Sequence, residues 1–96
     1  MNLYMKQFEW NEEKNELLKQ SRNISFEEIV FSIENGGLLD RLKHPNILKY
    51  PNQYIFQVLV DNYVYTVPFV EDGNKIFLKT IYPNSGASKF YLGDKQ

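Results

Sequence analysis

The 96-residue sequence predicts an α+β protein, with N-terminal helices packed on a curled antiparallel sheet of about four strands and a short C-terminal helix. Three observations predict this class. Helix-start patterns fall in the N-terminal part of the chain, runs of β-branched and aromatic residues follow them, and turn-forming sequences separate those runs. Because a chain of this length supports one hydrophobic core, residues 1–96 are predicted to form a single domain.

A short strand and a helix are predicted first. Residues 8–10 (FEW) alternate apolar and polar side chains, which is typical of a strand. Asn11 is the predicted N-cap of a helix over residues 11–21. This segment has acidic residues in its first turn and basic residues near its end, which is the order that the helix dipole favours.

A second helix is predicted from a stronger start signal. Ser25 and Glu28 have the spacing of a capping box, and Ile24 and Ile29 have that of a hydrophobic staple. Residues 35–37 (NGG) are predicted to end this helix. Apolar residues recur on one helix face with the spacing of a buried stripe: Phe26, Ile29, Val30 and Ile33. The aromatic residues predicted to lie in the core are Trp10, Phe26 and Phe31.

Four strands are predicted in the rest of the chain, over residues 37–42, 54–60, 63–70 and 75–82. Two hairpin turns, at residues 61–62 (DN) and 71–74 (EDGN), make the last three strands an antiparallel meander. Pro68 lacks a backbone N–H, so we expect a bulge or a strand end at this position. In the short C-terminal helix, Phe90 and Leu92 are the expected buried residues.

Composition excludes several classes of protein. The chain is 43% hydrophobic and 16% aromatic, which is too rich for a disordered segment. It has neither an apolar run long enough for a membrane span nor a signal-peptide pattern, so a soluble, cytoplasmic protein is predicted. Without cysteine and with a single histidine, it offers no disulfide, thiolate nucleophile or His-rich metal site. Any metal chemistry would therefore have to rest on carboxylates.

Charge is distributed unevenly along the chain, although the formal net charge is only -1. Residues 1–40 contain four Lys and Arg against eight Asp and Glu, whereas residues 41–96 contain seven against four. A phosphate backbone would be attracted to the second half, because the local field steers an anionic ligand. The alternative is that these charges are ordinary solvated surface on helices and strand edges.

Residues 8–15 (FEWNEEKN), residues 24–28 (ISFEE) and the final strand with Tyr91 resemble the BrnT-like toxins of bacterial type II toxin–antitoxin modules, small relatives of the RelE and ParE toxins. The resemblance covers nearly the whole chain. It implies a RelE-like fold and a metal-independent endoribonuclease that inhibits translation without a cofactor. It also implies RNA as substrate and neutralisation by a cognate antitoxin, often of the ribbon-helix-helix type, with no direct binding of this chain to DNA or membranes.

Two departures from the family pattern fall on basic residues. Residues 21–23 (SRN) stand where such toxins commonly have Lys-His-Gly, and residues 84–89 (NSGASK) stand where the last helix usually begins with arginines. Arg22 is a candidate to replace one of the lost cations. These departures support a second hypothesis, in which the chain is a catalytically weak or inactive toxin-like domain that acts as a protein-binding module.

Cleavage of RNA without a metal requires a base, a cation near the phosphate and an acid. His44 is the one side chain that can be both base and acid near neutral pH, although it is also a plausible loop histidine. The predicted catalytic residues are His44, Lys79, Lys89 and Tyr91. Lys79 alternates with the apolar residues Phe77 and Ile81 on one face of the last strand, where a lysine also serves as an edge charge.

A second group of residues is predicted to hold the RNA. It consists of cations interleaved with an aromatic residue, the combination that single-stranded RNA favours: Arg41, Lys43, Lys49 and Tyr50. Each of these four residues, like Lys89 and Tyr91, also has an ordinary structural or surface interpretation. The sequence therefore predicts a shallow basic groove on the sheet, built from distant parts of the chain.

Overall fold

The computed structural model describes residues 6–93, which form three helices and six strands. In chain order the elements are β1 (Gln7–Glu9), α1 (Glu12–Arg22), α2 (Phe26–Glu34), β2 (Leu38–Lys43), β3 (Gln53–Val60), β4 (Tyr63–Asp72), β5 (Lys75–Leu78), β6 (Tyr82–Pro83) and α3 (Ser85–Leu92). The α+β class is as predicted. Within residues 6–93, no helix is both long and apolar enough to cross a membrane.

The sheet is mixed, with the strand order β1-β5-β4-β3-β2, and β6 lies beside β4 beyond the end of β5. The three pairings among strands β2 to β5 are antiparallel, as predicted. The sheet has more strands than the four or so that were predicted. Strand β1 adds a parallel edge strand next to β5, and the predicted last strand is divided into β5 and β6. A three-residue strand carries no local signal that shows which neighbour it will join.

The two N-terminal helices begin at the predicted caps. The Asn11 side chain accepts a hydrogen bond from the Lys14 N–H at 2.9 Å. Ser25 and Glu28 form both hydrogen bonds of the capping box, each at 3.1 Å. Asn23 ends α1 with a φ of 55°, a left-handed conformation that asparagine tolerates better than most residues. Local polar contacts therefore define where these helices start and stop.

Helices α1 and α2 cover one face of the sheet, which we call the inner face. The rings of Phe56 and Phe69 stack there with centroids 3.9 Å apart, and Trp10 stacks on Phe26 at 5.6 Å. The core cluster consists of Leu18, Ile24, Phe26, Ile29, Ile33, Phe56, Val58, Val67, Phe69, Ile76, Leu78 and Ile81. The prediction for Phe31 was wrong, because this ring lies off the buried stripe of α2 and is 68% exposed.

Strand β4 runs through Pro68 without the predicted bulge or strand end. The irregularity lies instead in the neighbouring strand, which stops at Leu78 and resumes as β6 at Tyr82. The Lys79 N–H donates to the Pro68 carbonyl at 2.8 Å, so the peptide groups of Pro68 face this break. A proline is tolerated where the neighbouring strand needs no donor from it.

The break between β5 and β6 also changes the side-chain alternation. Ile81 was predicted to share a face with Lys79, but it is fully buried in the inner-face core. Arg22 at the end of α1 donates to the Ile81 carbonyl at 2.5 Å. Arg22, considered as a replacement for a lost catalytic cation, is therefore engaged in holding the chain at this break.

Helix α3 packs on β4 from the opposite side, which we call the outer face. The Val64 N–H donates to the Ser88 hydroxyl at 2.9 Å. Asn84 caps α3 through the Ala87 N–H and donates to the Thr66 hydroxyl, each at 2.9 Å. The prediction that Phe90 is buried was wrong, because it is 80% exposed and the small Ser88 occupies the contact instead.

Candidate functional site

The outer face has a covered end and an open end. Helix α3 covers the end near Val64 and Thr66. Leu42, which is paired with Ile55, is 42% exposed, and Phe77, which is paired with Val70, is 39% exposed. We use the name open end for the uncovered part of this face, formed by Leu42, Pro68, Val70, Phe77 and Lys79.

Lys79 lies at the open end, on the same side of the sheet as Phe77, as predicted. Both residues line a cavity of about 400 Å³, together with Glu9, Val70, Asp72 and Lys75. Lys75 is 3.9 Å from a carboxylate oxygen of Glu9. Within residues 6–93, Lys79 itself forms no ion pair. Two carboxylates, Glu9 and Asp72, line the cavity with the two lysines, so its lining is balanced in charge and not basic as predicted.

His44 follows β2 directly and extends its pairing, since its N–H donates to the Gln53 carbonyl at 3.0 Å. The imidazole Nδ1 accepts a hydrogen bond from the Asn46 N–H at 3.0 Å. The ring of Tyr50 lies against the imidazole, with centroids 4.6 Å apart. These contacts fix the ring and leave Nε2 as the nitrogen that can face a substrate.

The strand register gives the separation of His44 and Lys79. His44 adjoins Gln53 on β3, which pairs with Val70 on β4, which in turn pairs with Phe77 on β5, two residues before Lys79. Three strand spacings and two residues along a strand correspond to about 16 Å between the Cα atoms. Both residues therefore belong to one sheet surface, but they do not reach the same phosphate group.

Tyr91 and Lys89 lie on α3, away from the open end. The Tyr91 hydroxyl donates to Asp40 Oδ2 at 3.0 Å, and Asp40 Oδ1 accepts from the Arg41 N–H at 2.9 Å. Burial, and after it the Asp40 carboxylate, raises the pKa of the Tyr91 phenol. The geometry makes Tyr91 a tether between α3 and β2, while the Lys89 residue is exposed to solvent.

The predicted RNA-binding residues fall into two groups. Arg41 pairs in register with Phe56, so it belongs to the inner face, where its guanidinium is 4.3 Å from the Tyr54 ring centroid and 2.6 Å from a Glu71 oxygen. Lys43 follows on the same face of the exposed end of β2. Lys49 and Tyr50 are in the loop after β2, with the Lys49 ammonium 5.3 Å from the Tyr50 ring centroid.

Glu71 pairs with Arg41, so this guanidinium is already engaged in an internal ion pair. It also accepts from Lys6 at 3.0 Å. Hydrogen bonds from Lys6 and then from Arg41 lower the pKa of Glu71. The structure therefore brings together His44, Lys49 and Tyr50 in one loop, sets Lys79 about 16 Å away across the same face, and engages Arg41 and Tyr91 in internal contacts.

Sequence analysis missed a second cavity, which we call the α2 groove. It has a volume of about 670 Å³ and lies between the exposed side of α2 and the turn that joins β3 to β4. It is lined by Glu27, Glu28, Phe31, Ser32, Asn35, Gly36, Gly37, Leu59, Val60, Asp61 and Asn62. The one sequence signal for it is the position of Phe31, an aromatic residue off the buried stripe of an amphipathic helix.

Neither a metal site nor similarity to known proteins assigns a function to the protein. Within residues 6–93, no group of three or more His, Asp or Glu side chains is arranged to hold a metal ion. The protein is an α+β fold in which a mixed sheet is flanked by two helices on one face and one on the other. Comparison of the chain with protein-family models, with curated proteins and with solved structures gives no match.

Proposed function

We propose that the protein is the toxin of a bacterial toxin–antitoxin module: a cytoplasmic, RelE-like, metal-independent endoribonuclease that inhibits translation and is neutralised by a cognate antitoxin. The layout supports this proposal, because two N-terminal helices pack on a curled meander and a short helix ends the chain. The single observation that carries it is the register that aligns His44 and Lys79 on one exposed sheet surface.

The loop after β2 supplies the chemistry. Because Nδ1 accepts from the Asn46 N–H, the neutral ring carries its proton on Nε2. To act as base, His44 moves that proton to Nδ1 and gives up this hydrogen bond; Nε2 then removes the proton of the ribose 2′-hydroxyl and later returns it to the leaving oxygen. Lys49, on the same loop, stabilises the negative charge that develops on the phosphate. The Tyr50 ring lies beside both side chains, so base and cation belong to one loop.

The open end holds the rest of the RNA strand. Lys79 binds a phosphate of a neighbouring nucleotide, since it is about 16 Å from His44. The half-exposed ring of Phe77 offers a stacking surface for a base between them. Lys89 lies on α3, away from the open end, and has no part in this proposed site.

Induced expression in bacteria tests the proposal. We expect growth arrest with the wild type, relief by His44→Ala, and weaker relief by Lys79→Ala. Lys19→Ala is the matched control, because it removes an exposed lysine on α1, away from the outer face. Cleavage of RNA by the purified protein in the presence of EDTA should fall by about 10²- to 10⁴-fold in His44→Ala. Arrest that persists in a folded His44→Ala variant would remove this site assignment.

A protein-binding module without catalysis is the second candidate. Two observations favour it: Arg41 and Tyr91 are engaged in internal contacts, and apolar side chains, those of Leu42 and Phe77, are exposed at the open end. Harmless expression of a well-folded protein, with no RNA cleavage, would support this candidate over the toxin. A neighbouring reading frame for a ribbon-helix-helix protein supports the module itself but does not separate the two.

A further inference from the structure

The α2 groove is a rigid surface feature. The Ser32 hydroxyl donates to the Leu59 carbonyl, the Gly37 N–H donates to the Ser32 carbonyl at 2.7 Å, and the Leu59 N–H donates to the Gly37 carbonyl at 2.8 Å. A Cβ on Gly37 would lie 2.9 Å from the Leu59 oxygen, so glycine is required for this close approach. Helix and strand are therefore locked together, and a ligand meets a preformed cleft.

The groove has an apolar centre. Phe31 projects into solvent on one wall, and Leu59 and Val60 on β3 are only partly buried. An exposed aromatic ring beside partly exposed aliphatic side chains is a common anchor point in protein recognition. The lining runs from Glu27 to Asn35 along α2, which corresponds to about 12 Å of helix. That length suits several residues of a partner chain.

The rim of the groove is acidic. Its lining includes the carboxylates of Glu27, Glu28 and Asp61 and no Lys, Arg or His. Within residues 6–93 none of these three carboxylates forms an ion pair. Glu27 is partly compensated, because a hydrogen bond from Asn15 and the nearby charge of Lys19 lower its pKa. The field of this rim repels RNA and attracts cations.

Glu28 and Asp61 act on the same side chain from the two walls of the groove. The pKa of the Tyr65 phenol is raised by burial first and then by the charges of Glu28 and Asp61. The negative field therefore spans the groove from α2 to the β3–β4 turn.

We propose that the α2 groove binds a cationic, amphipathic segment of a protein partner, with an apolar side chain against Phe31 and Lys or Arg side chains at the acidic rim. The acidic rim favours a partner with positive charge. The apolar centre favours a protein segment over a small hydrophilic polycation. The inference is independent of the RNA chemistry, because no residue of the open end or of the loop after β2 lines this groove.

A pair of synthetic helical peptides tests this proposal. One peptide is built from Lys, Leu and Ala in an amphipathic pattern, and its counterpart has Glu in place of each Lys. Binding of the labelled peptides to the full chain is followed by fluorescence anisotropy. We expect the Lys peptide to bind, with an affinity that falls at high ionic strength, and the Glu peptide not to bind.

Substitutions locate the binding. Phe31→Ala, and separately the double variant Glu27→Gln/Asp61→Asn, should each weaken binding of the Lys peptide about tenfold. Asn is suitable at position 61 because this residue has a φ of 50°. Leu17→Ala and Glu13→Gln are matched controls on the exposed side of α1 and should bind as the wild type does.

Three results would overturn the proposal. Equal weakening of peptide binding in the groove variants and the control variants would show that the peptide binds through the overall charge of the protein. Displacement of the peptide by spermidine at similar concentration would assign the groove to small cations. Self-association of the wild type that Phe31→Ala abolishes in size-exclusion chromatography would make a second copy of this chain the occupant. RNA cleavage is measured in the same variants, so failure of the groove and failure of the proposed nuclease are distinguishable.

Discussion

The two faces of the sheet are covered in different ways. On the inner face two helices bury a continuous apolar core, in which Phe26, Phe56 and Phe69 are fully buried. On the outer face one short helix is attached largely through hydrogen bonds, and its side chain in contact with β4 is Ser88 rather than a large apolar residue. Among the described residues 6–93, no helix covers the open end, and Leu42 and Phe77 remain partly exposed.

This difference separates stability from recognition. Burial of apolar area is the main favourable term in folding, so the inner face stabilises the protein. The outer face contributes less to stability, and its exposed side chains can bind a ligand without exposing the core. The proposed functional residues His44, Lys49 and Lys79 all lie outside the core, as expected of residues that meet a ligand.

Truncation of one aromatic residue on each face should give the largest difference in the free energy of unfolding. Phe26→Ala removes a fully buried ring that stacks on Trp10, and we expect a loss of about 3–5 kcal/mol in the free energy of unfolding. Phe77→Ala, on the half-exposed outer face, should cost about 1 kcal/mol. Urea denaturation of both variants measures the difference, and equal losses would contradict the division between the faces.

Removal of the buried amide of Asn15 should have the next largest effect. Its Oδ1 accepts from the Phe26 N–H at 2.8 Å, and its Nδ2 donates to Glu27 at 2.7 Å, so it joins α1 to the start of α2. Asn15→Leu leaves a buried N–H without a partner and should cost about 1–3 kcal/mol. Asn35→Ala, at an exposed helix end, is the control for which thermal unfolding should change little.

Tyr91→Phe tests whether α3 is held by the contact with Asp40. Loss of this hydrogen bond should lower stability by about 0.5–1.5 kcal/mol and leave RNA cleavage intact, because the phenol tethers α3. Tyr82→Phe, on the exposed β6, is the matched control. Loss of cleavage in Tyr91→Phe with an unchanged melting temperature would instead support the catalytic role predicted from the sequence.

The smallest effect is expected at the ion-pair cluster of Glu71 beside the inner-face core. Lys6 and Arg41 lower the pKa of Glu71 from 4.5. The native state therefore favours the charged form, so this stabilisation is present above pH 4.5 and is lost as the pH falls below it. Glu71→Gln should have a lower melting temperature than the wild type at neutral pH, and the gap should narrow as the pH falls below 4.5. A gap that stays constant with pH would contradict the role of the charge.

Much of the local structure could be predicted from the sequence, because short-range contacts determine it. Asn11 and Ser25 cap their helices, and the turn at Asp61 and Asn62 has the two positive φ angles of a tight hairpin. Four strands were recognised from β-branched and aromatic residues. Each of these features depends on residues within about four positions of one another.

The candidate site could be predicted only in part. His44 and Lys79 were identified from their chemistry, and the side of the sheet occupied by Lys79 followed from alternation along β5. Sequence spacing could not predict two long-range contacts. Arg41 pairs with Glu71, thirty residues away, and Tyr91 pairs with Asp40, fifty-one residues away. These two contacts decide which predicted residues are available to a ligand.

The sequence by itself determined the α+β class, the helix caps, the hairpin turns and most of the buried stripe of α2. Only the tertiary structure decided that β1 joins β5 in parallel, that the chain breaks between β5 and β6, and that Phe31 lines an acidic groove instead of the core. The physical reason is range: caps and turns depend on neighbouring peptide groups, whereas docking and exposure depend on which distant surfaces exclude water from each other.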